Sequence, residues 1–155
     1  MTTEDRIYRL IKLLLFTAKE ENAEVTPTKL QKLFFLLEEE EGEQLGLEFI
    51  PGFFGPYSPE LHVYIYKLIE LREIEEEEVT DPLSGKVIAR KWHYVLKTEF
   101  TPSNDEKEKQ IEAFFREWVK KDCSDILNYV YKKYPEYGPF QKVGDLIMAW
   151  LKLNR

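Results

Sequence analysis

Three side chains in this sequence titrate near neutrality or act as soft nucleophiles, His62, His93 and Cys123, and their spacing decides what chemistry they support. Neither histidine stands at ligand spacing to the other or to the cysteine, so no zinc set of the CxxC or HExxH kind is present. Cys123 follows Lys120 and Lys121, cations that favour a thiolate, but it reads as a quiet structural cysteine rather than a catalytic one. The chain also lacks a GxGxxG turn, a Walker loop and a GxSxG elbow, the segments that cradle phosphates or expose a nucleophilic serine. Catalysis needs a nucleophile, a metal or a tuned acid–base pair. This inventory reads as that of a protein that is not an enzyme and takes no cofactor or metal.

Binding is the better-supplied chemistry. The segment Phe53-Phe54-Gly55-Pro56-Tyr57 concentrates aromatic rings between turn-formers, and Trp92 and Tyr94 alternate with His93 farther on. Aromatic anchors of this kind hold protein partners, so Phe53, Phe54, Tyr57, Trp92 and Tyr94 are the candidate partner-binding residues, with packing in the core as the competing use. An alternative reading is DNA, with Lys67, Arg90, Lys91 and Lys97 as the phosphate contacts. The formal charge of −7 weighs against it, because affinity for phosphate comes from basic side chains that release counterions. The glutamate runs at 38–41 and 75–78 offer many carboxylates, but consecutive residues splay apart on a helix or strand and build no calcium cage. They are expected to face solvent.

The elements that position these residues follow from periodicity. Ile7, Leu10, Ile11, Leu14, Leu15 and Ala18 recur at three and four, which predicts a first helix over 3–21. Thr26-Pro27 reads as a cap followed by proline at the first helical position and opens a second helix. Its apolar arc, Leu30, Leu33, Phe34 and Leu37 widened by Phe35 and Leu36, predicts burial on more than one side. This helix should fray before Gly42, where acidic groups meet the negative end of the dipole. Residues 43–58 read as an ordered loop pinned by aromatics. Ser58-Pro59 repeats the cap-plus-proline signal, and Leu61, Tyr64, Ile65, Leu68 and Leu71 mark a third helix to about residue 73.

Residues 74–80 and 87–97, rich in β-branched and aromatic types, flank the turn-former run 81–86 and predict a β-hairpin with cross-strand charge pairing. Ser103 and Glu106 read as a capping box ahead of a fourth helix with Ile111, Phe114, Phe115, Trp118 and Val119 in its stripe. Ile126, Leu127, Val130 and Tyr131 predict a fifth helix that Pro135 ends, and residues 143–153 a last one. The expected fold is therefore mainly α with a β-hairpin (α+β), one domain over 1–155. Residues 1–100 form a winged-helix-like core and 101–155 a helical C-terminal extension packed on it. At 155 residues one core is the expectation for a chain of this length. No apolar run approaches the roughly 18 residues that span a bilayer, and the amino end has no signal-peptide pattern. With a single cysteine, the expected setting is the cytoplasm, without a membrane, as monomer or homodimer.

Three segments together resemble a known group: residues 28–37 (TKLQKLFFLL), 53–61 (FFGPYSPEL) and 127–136 (LNYVYKKYPE). In this order and spacing they are similar to the YwgA-like and SocA-like (Panacea) proteins, whose pattern is an LQKLLYLL helix, a GP[VY]SxEL turn, a helix and hairpin, and a late YVYxKYP helix end. The two acidic runs and the short amino end depart from the Panacea pattern and bring the chain nearer the YwgA-like branch. The resemblance implies an antitoxin-like or proteolytic-adaptor role that works by binding a partner protein, and it brings no catalytic residues. Leu30, Gln31, Leu33, Gly55, Pro56, Tyr57, Ser58 and Glu60 carry the motif, and each has a folding role that explains it.

Overall fold

A computed structural model describes residues 1–80, 83–84, 87–138 and 150–151. Over these residues the chain is mostly helical with two small antiparallel hairpins. Helix α1 (Thr3–Glu20) starts from a capping box in which the Thr2 hydroxyl accepts from the Asp5 amide and the Asp5 carboxylate from the Thr2 amide. Helix α2 (Pro27–Glu41) starts from the Thr26 cap and ends at Gly42, whose φ of 68° is the left-handed geometry that favours glycine at a helix end. The acidic last turn does not fray, because two of its glutamates have partners elsewhere. Glu38 accepts the Leu47 amide at 3.3 Å, and Glu40 takes Lys133 Nζ at 2.7 Å and the hydroxyls of Tyr129 and Tyr134. The run at 38–41 is thus partly structural rather than a solvated face.

Residues 50–57, read from sequence as loop, form strands β1 (Ile50–Gly52) and β2 (Gly55–Tyr57), paired with Gly52 opposite Gly55. A side chain at Gly52 would sit 2.8 Å from the Gly55 carbonyl oxygen, so the turn closes only with glycine there. Helix α3 (Pro59–Glu70) follows directly, capped by Ser58. It stops short of the expected end because Arg72 takes a left-handed φ of 59°, and Leu71 is exposed instead of completing the apolar stripe. Strands β3 (Ile74–Thr80) and β4 (Val87–Leu96) make the expected hairpin, with Ile74 opposite Leu96 and Glu77 opposite His93.

Helix α4 (Glu106–Val119) begins two residues later than the capping-box reading implies. Asp105 caps it, accepting the Glu108 amide at 3.1 Å. Ser103 does not cap it: its hydroxyl accepts the Asp105 amide at 3.0 Å and its own amide donates to the Glu108 carboxylate. Helix α5 (Cys123–Lys133) and a 3-10 turn (Pro135–Tyr137) complete the described fold. Of the expected last helix only Trp150 and Leu151 are described, both helical.

The core is one cluster with α2 through its middle, where Leu30, Leu33, Phe34, Phe35, Leu36 and Leu37 are all shut from solvent. Burial on more than one side is what the widened apolar arc requires, and α4, α5, β2 and β4 supply the walls. The extension is joined to the amino-terminal half by charge as well as packing. Arg9 on α1 donates from Nε and Nη2 to the nearly buried carboxylate of Glu108 on α4, and its guanidinium lies 4.7 Å over the Phe100 ring. The hydrogen bond from Arg9, then that from the Ser103 amide, outweighs burial and holds Glu108 below the usual carboxylate range.

Glu108→Gln should therefore destabilise the fold by about 1–2 kcal/mol at neutral pH, the scale of a charge-assisted hydrogen bond lost from a sheltered site. The advantage of the native carboxylate is present above the ordinary glutamate value of about 4.3 and is lost as pH falls through its lowered folded value. Urea denaturation of both proteins at neutral and acid pH should show the stability gap closing in acid.

Candidate functional site: an aromatic hairpin over a buried lysine

The motif segments that lie apart in sequence meet at one place. Gln31, on α2, reaches the backbone between β2 and α3. Its Oε1 accepts the Ser58 amide at 2.7 Å and its Nε2 donates to the Ser58 carbonyl at 3.0 Å. That double bond ties the hairpin to the central helix, while the Ser58 hydroxyl accepts the Leu61 amide at 3.2 Å and starts α3. The glutamine and serine of the motif are thus one joint, closed in the interior where each unpaired polar group would cost about 1–3 kcal/mol.

One residue on, Lys32 is 1% exposed. Gly55 lies against it. A Cβ at that position would stand 3.2 Å from Lys32 Cε and 3.4 Å from Leu127 Cδ2, and the backbone there has φ +92°, so only glycine lets the hairpin rest on the lysine stem. The amine donates to the Thr28 carbonyl at 3.2 Å. Burial pulls it down to about 8, against a smaller upward pull from Cys123.

Around Lys32 opens a cavity of about 350 Å³ lined by Gln31, Phe53, Phe54, Tyr57, His62 and Tyr94, among others. Phe53 and Phe54 form the turn of the β1–β2 hairpin and are 82% and 68% exposed, with Tyr57 at the margin. The His62 ring sits edge-on to Tyr66 at 4.6 Å and faces Tyr57 at 6.4 Å.

Of the five aromatic residues singled out for partner binding, Phe53, Phe54, Tyr57 and Tyr94 gather here, and core packing does not consume the first two. Tyr94 is a correction. At 3% exposure it is a wall of the cavity, not an outer contact, because its amide bonds the Val25 carbonyl at 2.9 Å and draws the strand inward; burial pushes its hydroxyl upward. Trp92 is exposed on β4 and lies outside the cavity lining.

The cations of the DNA reading are tied to carboxylates. Lys67 stands 3.6 Å from Glu70, Lys91 3.7 Å from Glu24, and Lys97 2.7 Å from Glu77 and 3.7 Å from Glu75. The Arg90 side chain lies outside the described residues. Among the described residues no three His, Cys, Asp or Glu side chains gather as a metal set, and no helix is long and apolar enough to cross a membrane. No known family model matches the chain, and no curated protein matches it either.

Lys32 and its neighbour Lys29, whose amine donates to the Val119 carbonyl at 2.6 Å, are the site residues that sequence reading passed over. The signal was present in the helix itself. An apolar arc that wraps the helix leaves no wet face for its lysines.

A buried amine held near 8 makes folding less favourable while it is charged. Lys32→Met, which keeps the stem volume, should raise stability by about 2 kcal/mol at pH 6.5, the order that such a depression is worth. The penalty on the native protein is full below the folded value of about 8 and vanishes as pH rises toward the unfolded value of about 10.4. The gain in the variant should therefore fade over that window in paired urea titrations. A loss of stability at pH 6.5 would show that the amine is held by a net stabilising partner.

Proposed function

We propose that this protein is a non-enzymatic adaptor or regulator of the YwgA-like and SocA-like kind, cytoplasmic, whose winged-helix-like scaffold presents the β1–β2 turn to a partner protein. The order α1, α2, α3, β3, β4 suits that scaffold, as does the bond from Tyr94 to Val25, which lays the β4 strand along the link between the first two helices. One observation carries the reading. Phe54 is largely exposed on a turn whose backbone is anchored through Gln31 to the most buried helix. A large ring held outward on a rigid support loses little entropy when a partner covers it, and such rings dominate interface energies. DNA is the weaker reading, since three of its four cations already face carboxylates on an acidic protein.

Affinity capture on the immobilised chain, read by quantitative mass spectrometry, tests the proposal with Phe54→Ser and a control at the distant exposed Leu71, Leu71→Ser. A partner held by the native protein and the control should fall about 30-fold on Phe54→Ser, the loss expected of a hot spot worth about 2 kcal/mol. Its stability should stay within about 0.5 kcal/mol of native, as for surface changes generally. An unchanged capture profile, or an unfolded Phe54→Ser protein, would overturn the assignment. Duplex DNA bound at physiological salt would transfer the role to the DNA-binding reading.

A further inference from the structure

Lys32 is unexplained by a docking surface made of phenylalanines. Among the described residues its amine has one hydrogen-bond partner, a carbonyl of its own helix, and Cys123 is the sole ionisable group that acts on it. Lys29, at 6% exposure nearly as buried, shows the ordinary solution. Its amine ends on Val119, the last carbonyl of α4, where the helix dipole is negative; burial lowers it as well, while Cys123, then Asp122 and Glu24, pull it back up. Among the described residues Lys32 has neither a helix end of another element nor a carboxylate within reach. A buried cation in that state is costly unless a counter-ion joins it, and the cavity it lines has room for one.

The cavity states what the counter-ion must be attached to. Its described walls are mainly aromatic and aliphatic, with Phe53, Phe54, Ile65 and Tyr94; Thr28, Gln31 and His62 are its further polar members, and Lys32 is the single lysine or arginine among them. One lysine with no arginine suits a monoanion, since a phosphate dianion calls for further cations or a bidentate fork. A volume of about 350 Å³ lies at the small end of ligand pockets, which run from about 300 to 1,000 Å³, and fits a single ring or a short branched chain. We propose that this cavity binds a small organic acid, one carboxylate on an aromatic or branched apolar body, with Lys32 as its counter-ion. The apolar body lies under the Phe53–Phe54 turn and the carboxylate accepts from Nζ. This site does not depend on the adaptor reading; a protein that captures a partner through Phe54 and binds no acid refutes the site alone.

The test uses the full chain and two probes of one shape, 3-phenylpropanoate and 3-phenylpropanamide, with phenylacetate, indole-3-acetate and 4-methylpentanoate as further acids. Calorimetric titration at pH 7 should show at least one acid binding about tenfold or more tighter than its amide, a factor well within the reach of one charge-assisted contact. Lys32→Met should erase that preference and keep the affinity for the amide. In the native protein, NMR titration of the Lys32 methylene next to the amine should move to higher pH when the acid is bound, a readout that needs no variant to fold. Equal binding of acid and amide, a preference that survives in Lys32→Met, or no saturable binding of any acid up to about 10 mM, beyond which binding is weaker than the millimolar scale, would overturn the proposal.

Discussion

Over residues 29–37 helix α2 is enclosed on every side, and a helix in that position cannot send its polar side chains to water. Its apolar residues supply the centre of the core, but Lys29, Gln31 and Lys32 are as shielded as the leucines around them. Each must therefore find its partners inside the protein, at a cost of a few kcal/mol if it does not. That requirement organises the rest of the molecule. Lys29 reaches the end of α4, Gln31 clamps the start of α3, and Lys32 supports the β1–β2 hairpin. The polar groups of Lys29 and Gln31 thus hold two other elements, and the carbon stem of Lys32 packs under a third.

The division of labour among them has a physical logic. Gln31 is neutral and satisfied twice over by the backbone of a single residue, Ser58, so it fixes position without leaving charge behind. Lys29 is charged but sits at the negative end of a helix. Lys32 is charged and weakly partnered, and burial accordingly depresses its amine. A site that keeps such a group in the interior retains a local instability, which in proteins is commonly associated with ligand or partner chemistry. The aromatic turn stands over that group, and the glycine at 55 is what allows the two to touch.

The outer surface is organised differently. The acidic balance of the chain is spread over exposed ion pairs, such as Lys97 with Glu77 and Lys91 with Glu24, which stabilise little in high dielectric. Their effect is to neutralise Lys91 and Lys97, the described cations of β4, locally. Arg116 does the same at the meeting of α1 and α4, where Glu20, Glu21 and Glu112 surround it. The contrast with the interior is one of dielectric. The same residue types that merely decorate the surface set geometry once water is excluded.

The sequence by itself determined the local elements other than the short β1–β2 hairpin, which it showed only as an aromatic-rich loop. Apolar spacing of three and four located α1 to α5, threonine or serine followed by proline located the starts of α2 and α3, and β-branched runs located the β3–β4 hairpin, because these signals act over a single turn or strand and need no distant partner. It also named Phe53, Phe54 and Tyr57 as ring-rich. Only the tertiary structure decided which of those rings face solvent and which, as with Tyr94, form a wall, since exposure depends on what packs opposite. It moved the α4 cap from Ser103 to Asp105, because Arg9, remote in sequence, holds Glu108. It turned the acidic end of α2 from a solvated run into an anchor, because Tyr129, Lys133 and Tyr134 arrive from α5 and just beyond it. Above all it made Lys32 a buried charge, since a lysine on a helix is ordinary until every face of that helix has been covered.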